Sequence, residues 1–138
     1  SSFALAHGYL GAQLAYAGEP EGAIVEANKA IRLSPRDPEL FHFFLAVGTA
    51  HFVAGRYAEA VEWAKKVIQE KPEVPSGHRL LAASYGQLGQ TEEAAAALEG
   101  ALRLAPGLSV EFVRNTIHFS IREHSDLYIE GLHKAGLK

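Results

Sequence analysis

The sequence predicts an all-α chain built as three consecutive helix pairs followed by a closing helix pair. Three observations carry this. Ala23, Ala60 and Ala94 each stand twelve residues before a proline: Pro35, Pro72 and Pro106. Gly18, Gly55 and Gly89 lie five residues before those alanines. Apolar residues spaced i, i+3, i+4 and i+7 surround these marks, the period of one helical face. The alanines are 37 and then 34 residues apart, so an internal repeat organises the chain.

Each element follows in order. The first helix of a pair carries His7-x-x-Leu10-Gly11-x-x-Leu14, then Phe44-x-x-Val47-Gly48-x-x-His51, then His78-x-x-Leu81-Ala82-x-x-Tyr85. Gly18, Gly55 and Gly89 are expected to end these helices in a left-handed cap, and a short turn sends the chain back antiparallel. Ala23, Ala60 and Ala94 are expected where two helix axes approach most closely, because a larger side chain would force them apart. The second helices continue with Ala27 and Ala30, Ala64 and Val67, Leu98 and Ala101. Pro35, Pro72 and Pro106 stop them, since proline lacks an amide hydrogen and its ring clashes with the preceding turn.

The extra residues near Pro38-Glu39-Leu40 are predicted to lengthen the start of the next helix, with Asp37 as N-cap and Pro38 in the first turn. Beyond Leu108 the repeat fades but helicity does not. Ser109 reads as the N-cap of a helix over 110–117, and Ser120-x-x-Glu123 as a capping box for a last helix ending near Gly136. Two atypical helices after three typical pairs are expected to cover the apolar face that a stacked array leaves at its end.

The in-register pairs resemble the tetratricopeptide repeat family, whose pattern is W-x-x-L-G-x-x-Y, then A-x-x-x-F, then P. The resemblance covers 4–108, as repeats of about 4–37, 41–74 and 75–108, with capping helices over about 109–137. It implies one domain folded as a right-handed α-α superhelix. Departures fall at the large positions: His or Phe replaces Trp, and Ala27, Ala64 and Leu98 replace the second-helix aromatic. They bear on packing tightness, not on the fold.

A narrower resemblance lies in the tail. Leu108-Ser109-Val110-Glu111-Phe112-Val113-Arg114, His118-Phe119 and the stretch Tyr128 to Leu137 are similar to the C-terminal end of bacterial proteins joining such repeats to a class III adenylate or guanylate cyclase. Similar tails follow repeats attached to winged-helix transcription regulators. His118 stands where that family has Pro, and no cyclase catalytic motif is present. The resemblance therefore implies a cytoplasmic bacterial signalling protein whose output domain lies outside these residues. The chain holds no Met, even at its first position, and is expected to be a piece of something larger.

Composition excludes several classes. A chain of 138 residues suits one domain. Zero Cys removes disulfides, thiolate zinc sites and a cysteine nucleophile. With 13 basic and 16 acidic residues the net charge is −3, which gives no reason to expect nucleic acid. The longest apolar stretch, Phe43 to Ala50, is far short of the roughly 20 residues a membrane helix needs. Glu39-x-x-His42 and Glu130-x-x-His133 have a di-iron spacing, but one sits in the second repeat and the other in the cap, so no metal site is expected. Ser84-Tyr85-Gly86 is no nucleophile elbow: Ala82 replaces the first glycine and the serine lies mid-helix. No enzyme activity and no cofactor are expected.

In this family the concave groove is lined by positions 2, 5, 9, 12 and 13 of each repeat. The resemblance thus implies Leu5, Gly8, Ala12, Ala15 and Tyr16; His42, Leu45, Thr49, Phe52 and Val53; and Ser76, Arg79, Ala83, Gly86 and Gln87. The first two sets are mostly apolar or small, and the third is polar with one cation. Members that grip a chaperone's C-terminal carboxylate use Lys, Asn and Arg where this chain has Gly8, Ala12, Ala46, Ser76 and Leu80, so that clamp is absent. The expected ligand is a protein or peptide segment, a second copy of the chain or part of the same chain, held in an apolar groove.

Overall fold

A computed structural model describes residues 1–138 as eight helices with no strand: α1 (Ser2–Ala17), α2 (Pro20–Leu33), α3 (Leu40–Val53), α4 (Tyr57–Glu70), α5 (Pro75–Leu88), α6 (Thr91–Leu104), α7 (Val110–Thr116) and α8 (Arg122–Lys134). α1 with α2, α3 with α4 and α5 with α6 are the three antiparallel pairs.

The repeated marks do the physical work expected of them. Gly18, Gly55 and Gly89 have φ of 87°, 78° and 77°, a region open to glycine because it has no Cβ. The residue after each donates its N–H back into the last turn of the helix: Glu19 to Leu14 O, Arg56 to His51 O and Gln90 to Tyr85 O, at 2.9, 2.8 and 3.0 Å. These bonds satisfy carbonyls that a helix end otherwise leaves open. Ala23, Ala60 and Ala94 are fully buried at the helix crossings. α2, α4 and α6 end at Leu33, Glu70 and Leu104, each two residues before its proline.

Two local expectations are corrected. The three extra residues do not lengthen α3, which begins at Leu40 and has 14 residues, as α5 does. They form a turn in which the Asp37 carboxylate accepts the Glu39 N–H at 2.9 Å, a side-chain mimic of a backbone turn. Ser120 does not cap α8. Ile121 holds the N-cap position without a side-chain bond, and the Ser120 N–H instead donates to Tyr16 O at 2.8 Å. Ser109 does cap α7, accepting the Phe112 N–H at 3.0 Å.

The closing pair covers more than the array's end. Leu98, Ala101, Leu108, Val113, Ile129, Leu132 and Leu137 share the largest core cluster, so α7 and α8 shield α6. α8 packs chiefly along α5, on the flank away from α4. A Cβ on Gly86 would collide with the Gly131 carbonyl, and one on Gly131 with the Ala83 carbonyl. Backbone therefore meets backbone here, and only hydrogen side chains permit it. Burying a residue such as Leu132, fully enclosed, is worth about 2 kcal/mol.

Candidate protein-binding groove

α1, α3 and α5 run in the same direction, because each is followed by an antiparallel partner. Their first turns therefore lie at one end of the concave face and their last turns at the other. The closing segment occupies the last-turn end. Gln87 donates its side-chain amide to Leu127 O at 2.6 Å, and Ala83 and Gly86 lie under Gly131. Phe52, 1% exposed, meets the Tyr128 ring edge-on at 5.6 Å. Phe119 stacks obliquely on Tyr16 at 5.0 Å and on Tyr128 at 5.4 Å, so one aromatic chain links α1, α3 and α8.

Arg79 sits in this cluster. Its guanidinium lies beside the Tyr128 hydroxyl and within electrostatic reach of Tyr16. Burial pushes the Tyr16 phenol up, the Tyr128 hydroxyl adds to that, and Arg79 and the Thr49 hydroxyl partly offset it. Burial likewise raises Tyr128, against the pull of Arg79. Arg79 forms no ion pair with a carboxylate, since none of the eight pairs within 4 Å involves it. Its Nε and the Ser76 Oγ, one turn earlier, are both buried without a hydrogen-bond partner.

The expected lining residues divide accordingly. Tyr16, Phe52, Ala83, Gly86 and Gln87 are covered by the chain's own tail, and Val53 packs half-buried against the same core. Thr49 is buried beside Tyr16. Gly8 is buried, where a Cβ would strike the Phe43 ring, and the half-buried Ala12 packs against the Ala27, Ala46 and Val47 cluster. Ala15 is enclosed with Ala23 and Ala50. A first-turn strip holds the rest: Leu5 half-buried against Ala4, Ala30, Leu40 and Phe43, Leu45 half-buried against the largest core, Ser76 and Arg79 half-buried with Arg79 at the border of the tail cluster, and His42 exposed and paired to Glu39 at 3.3 Å. Glu130 pairs with Lys134 at 2.9 Å.

Sequence reasoning missed the groove's occupants, Phe119, Leu127, Tyr128 and Gly131. The available signal was the pairing of two mid-helix glycines, Gly86 and Gly131, each costing about 1 kcal/mol of helix stability unless close packing requires it.

The comparisons agree with this architecture. The family model described as "Anaphase-promoting complex, cyclosome, subunit 3" matches residues 20–101, and the chain belongs to that family, whose repeats are of the tetratricopeptide type. Among solved structures, TTC0263, a thermophilic tetratricopeptide repeat protein of Thermus thermophilus, is similar with a TM-score of 0.68. That likeness covers 96% of this chain and 72% of the other at 20% identity, and it concerns the fold. No curated protein matches the chain in sequence. A repeat fold of this type is a non-catalytic protein-interaction module. No helix is long and apolar enough to cross a membrane.

Proposed function

We propose that this domain is a regulatory scaffold of a cytoplasmic bacterial signalling protein, and that it holds a protein segment, or a second copy of itself, on the first-turn strip of its concave face. The observation that carries the reading is Arg79 with Ser76. Ser76 Oγ and Arg79 Nε, one turn apart on α5 and buried without hydrogen-bond partners, are what a partner's polar groups would complete, and His42 on α3 is exposed. The tail supports a second, compatible reading as the sensor domain of a class III cyclase. Its residues resemble cyclase-linked tails, and they run from α6 back to α1, so an event in the groove would reach the C-terminal end.

Arg79→Gln and His42→Ala test the strip. Wild-type protein is expected to retain a defined partner from a bacterial lysate, identified by mass spectrometry, or to show a mass above the monomer in light scattering. Both variants are expected to lose that association with unchanged helical circular dichroism. Association that survives in both variants rules the strip out.

A further inference from the structure

The outer, convex side offers a different site. Over α3, the seam between α2 and α4 is closed by Trp63, which packs with Ile31 against the Ala27, Ala46 and Val47 cluster. The Trp63 ring meets Phe44 at 5.7 Å, and the Lys66 ammonium lies over the indole at 4.2 Å. Carried forward 34 residues, the repeat register puts Ala97 at the place of Trp63, Gly100 at that of Lys66 and His78 at that of Phe44. The next seam, between α4 and α6 over α5, is consequently open. A cleft of about 480 Å³ lies there, floored by Leu81 and Tyr85 and walled by Ile68, Ala97, Gly100 and His78.

We propose that this cleft receives an aromatic side chain of a partner protein, with a basic residue next to it. The molecule contains its own filled version one repeat earlier, so the shape that fits is an indole or phenyl ring lying where Trp63 lies. Such rings bury large areas on apolar floors and act as anchors in interfaces. The polarity of the neighbouring residue follows from the charges around the cleft. Arg103 is paired with Glu99 at 3.9 Å and Lys65 with Glu62 at 3.8 Å, whereas Glu93 on the wall has no cation within 4 Å. The one unpaired charge at the mouth is acidic, which favours a Lys or Arg beside the ring.

The test uses the whole chain and the peptide N-acetyl-Lys-Trp-Lys-amide, followed by amide shifts in NMR. Saturable shifts are expected at Leu81, Ala96 and Gly100. Ala97→Trp, which supplies the missing ring internally, is expected to abolish them. Ala96→Lys, an exposed change that puts a like charge at the mouth, is expected to weaken binding at least tenfold and keeps the test intact if Ala97→Trp does not fold. N-acetyl-Glu-Trp-Glu-amide is expected to bind several-fold more weakly. Shifts that are absent, lie elsewhere, or persist unchanged in both variants overturn the proposal. Wild-type protein that sediments as a dimer, with Ala97→Trp monomeric and no peptide shifts, assigns the cleft to a second copy instead and also overturns it.

Discussion

The two steps of the array share one sequence register and are closed differently. In the first, α3 packs on both α1 and α2, and its convex seam is sealed by Trp63. In the second, α5 packs on α4, touches α3 little, and receives α8 on its other flank. The tight spots differ in kind as well. Gly8 lies under the Phe43 ring, a side chain, whereas Gly86 and Gly131 bring two backbones together. A repeat sets where helices run, but single small residues decide what lies between them: the chain's own aromatic, its own tail or an open cleft.

The largest effect expected is at that backbone crossing. Gly131→Ala gains about 1 kcal/mol of helix propensity. It loses more, about 3 kcal/mol, because the Ala83 carbonyl belongs to α5 and cannot turn aside. A net loss near 2 kcal/mol in urea unfolding is expected. Gly8→Ala meets a ring that can shift, and its net cost is expected to be smaller by about 1 kcal/mol. Equal costs at the two sites would show that α8 is not held against α5 as described.

The tail contact also predicts an alkaline signature. Tyr16 and Tyr128 have phenols raised above 10 by burial, so the folded state favours their neutral forms. Their contribution to stability is fully present below the unfolded value of about 10 and is lost as pH rises through the folded values. Burial raises the Tyr57 phenol as well. Tyrosinate absorbance is therefore expected to show three late-titrating phenols, and Tyr128→Phe to leave two. Three late phenols persisting in Tyr128→Phe would place the buried Tyr128 contact elsewhere.

What the sequence made readable follows from which interactions are local. Gly18, Gly55 and Gly89, with their alanines and prolines, act within one helix pair, and those expectations match the structure. The turn at Pro38 was misread because a proline preceded by Asp fits a helix start and an Asx turn equally well. Tyr16 and Phe52 could be placed on the concave face but not under a cover, since the apolar face of α8 tells that it is buried and not against which helix. The inward packing of Gly8 and Ala12 has a related reason: small side chains lie against the neighbouring helix, where longer ones would reach the groove.

The smallest prediction sharpens the first step. Across its convex side, Arg56 links the pairs: its guanidinium meets the Glu21 carboxylate at 2.9 Å, and its Nε donates to His51 Nδ1 at 2.9 Å. His51 must keep that nitrogen unprotonated to accept the bond. Burial holds its pKa below the ordinary 6.5, and the neighbouring Arg56 charge lowers it further. Because the folded value is depressed, the neutral imidazole's contribution is present above pH 6.5 and fades as pH falls from there through the folded value. In Arg56→Ala, NMR titration is expected to move His51 up toward 6.5 without reaching it, since burial remains. The pair is exposed, so the stability lost at neutral pH is expected to stay under about 1 kcal/mol. In the second step, Tyr85 and Gln90 stand where His51 and Arg56 do, and no such pH dependence can arise there. An unmoved His51 in Arg56→Ala would mean that burial alone sets its titration, and that the seam is held by Trp63 without help from the charged bridge.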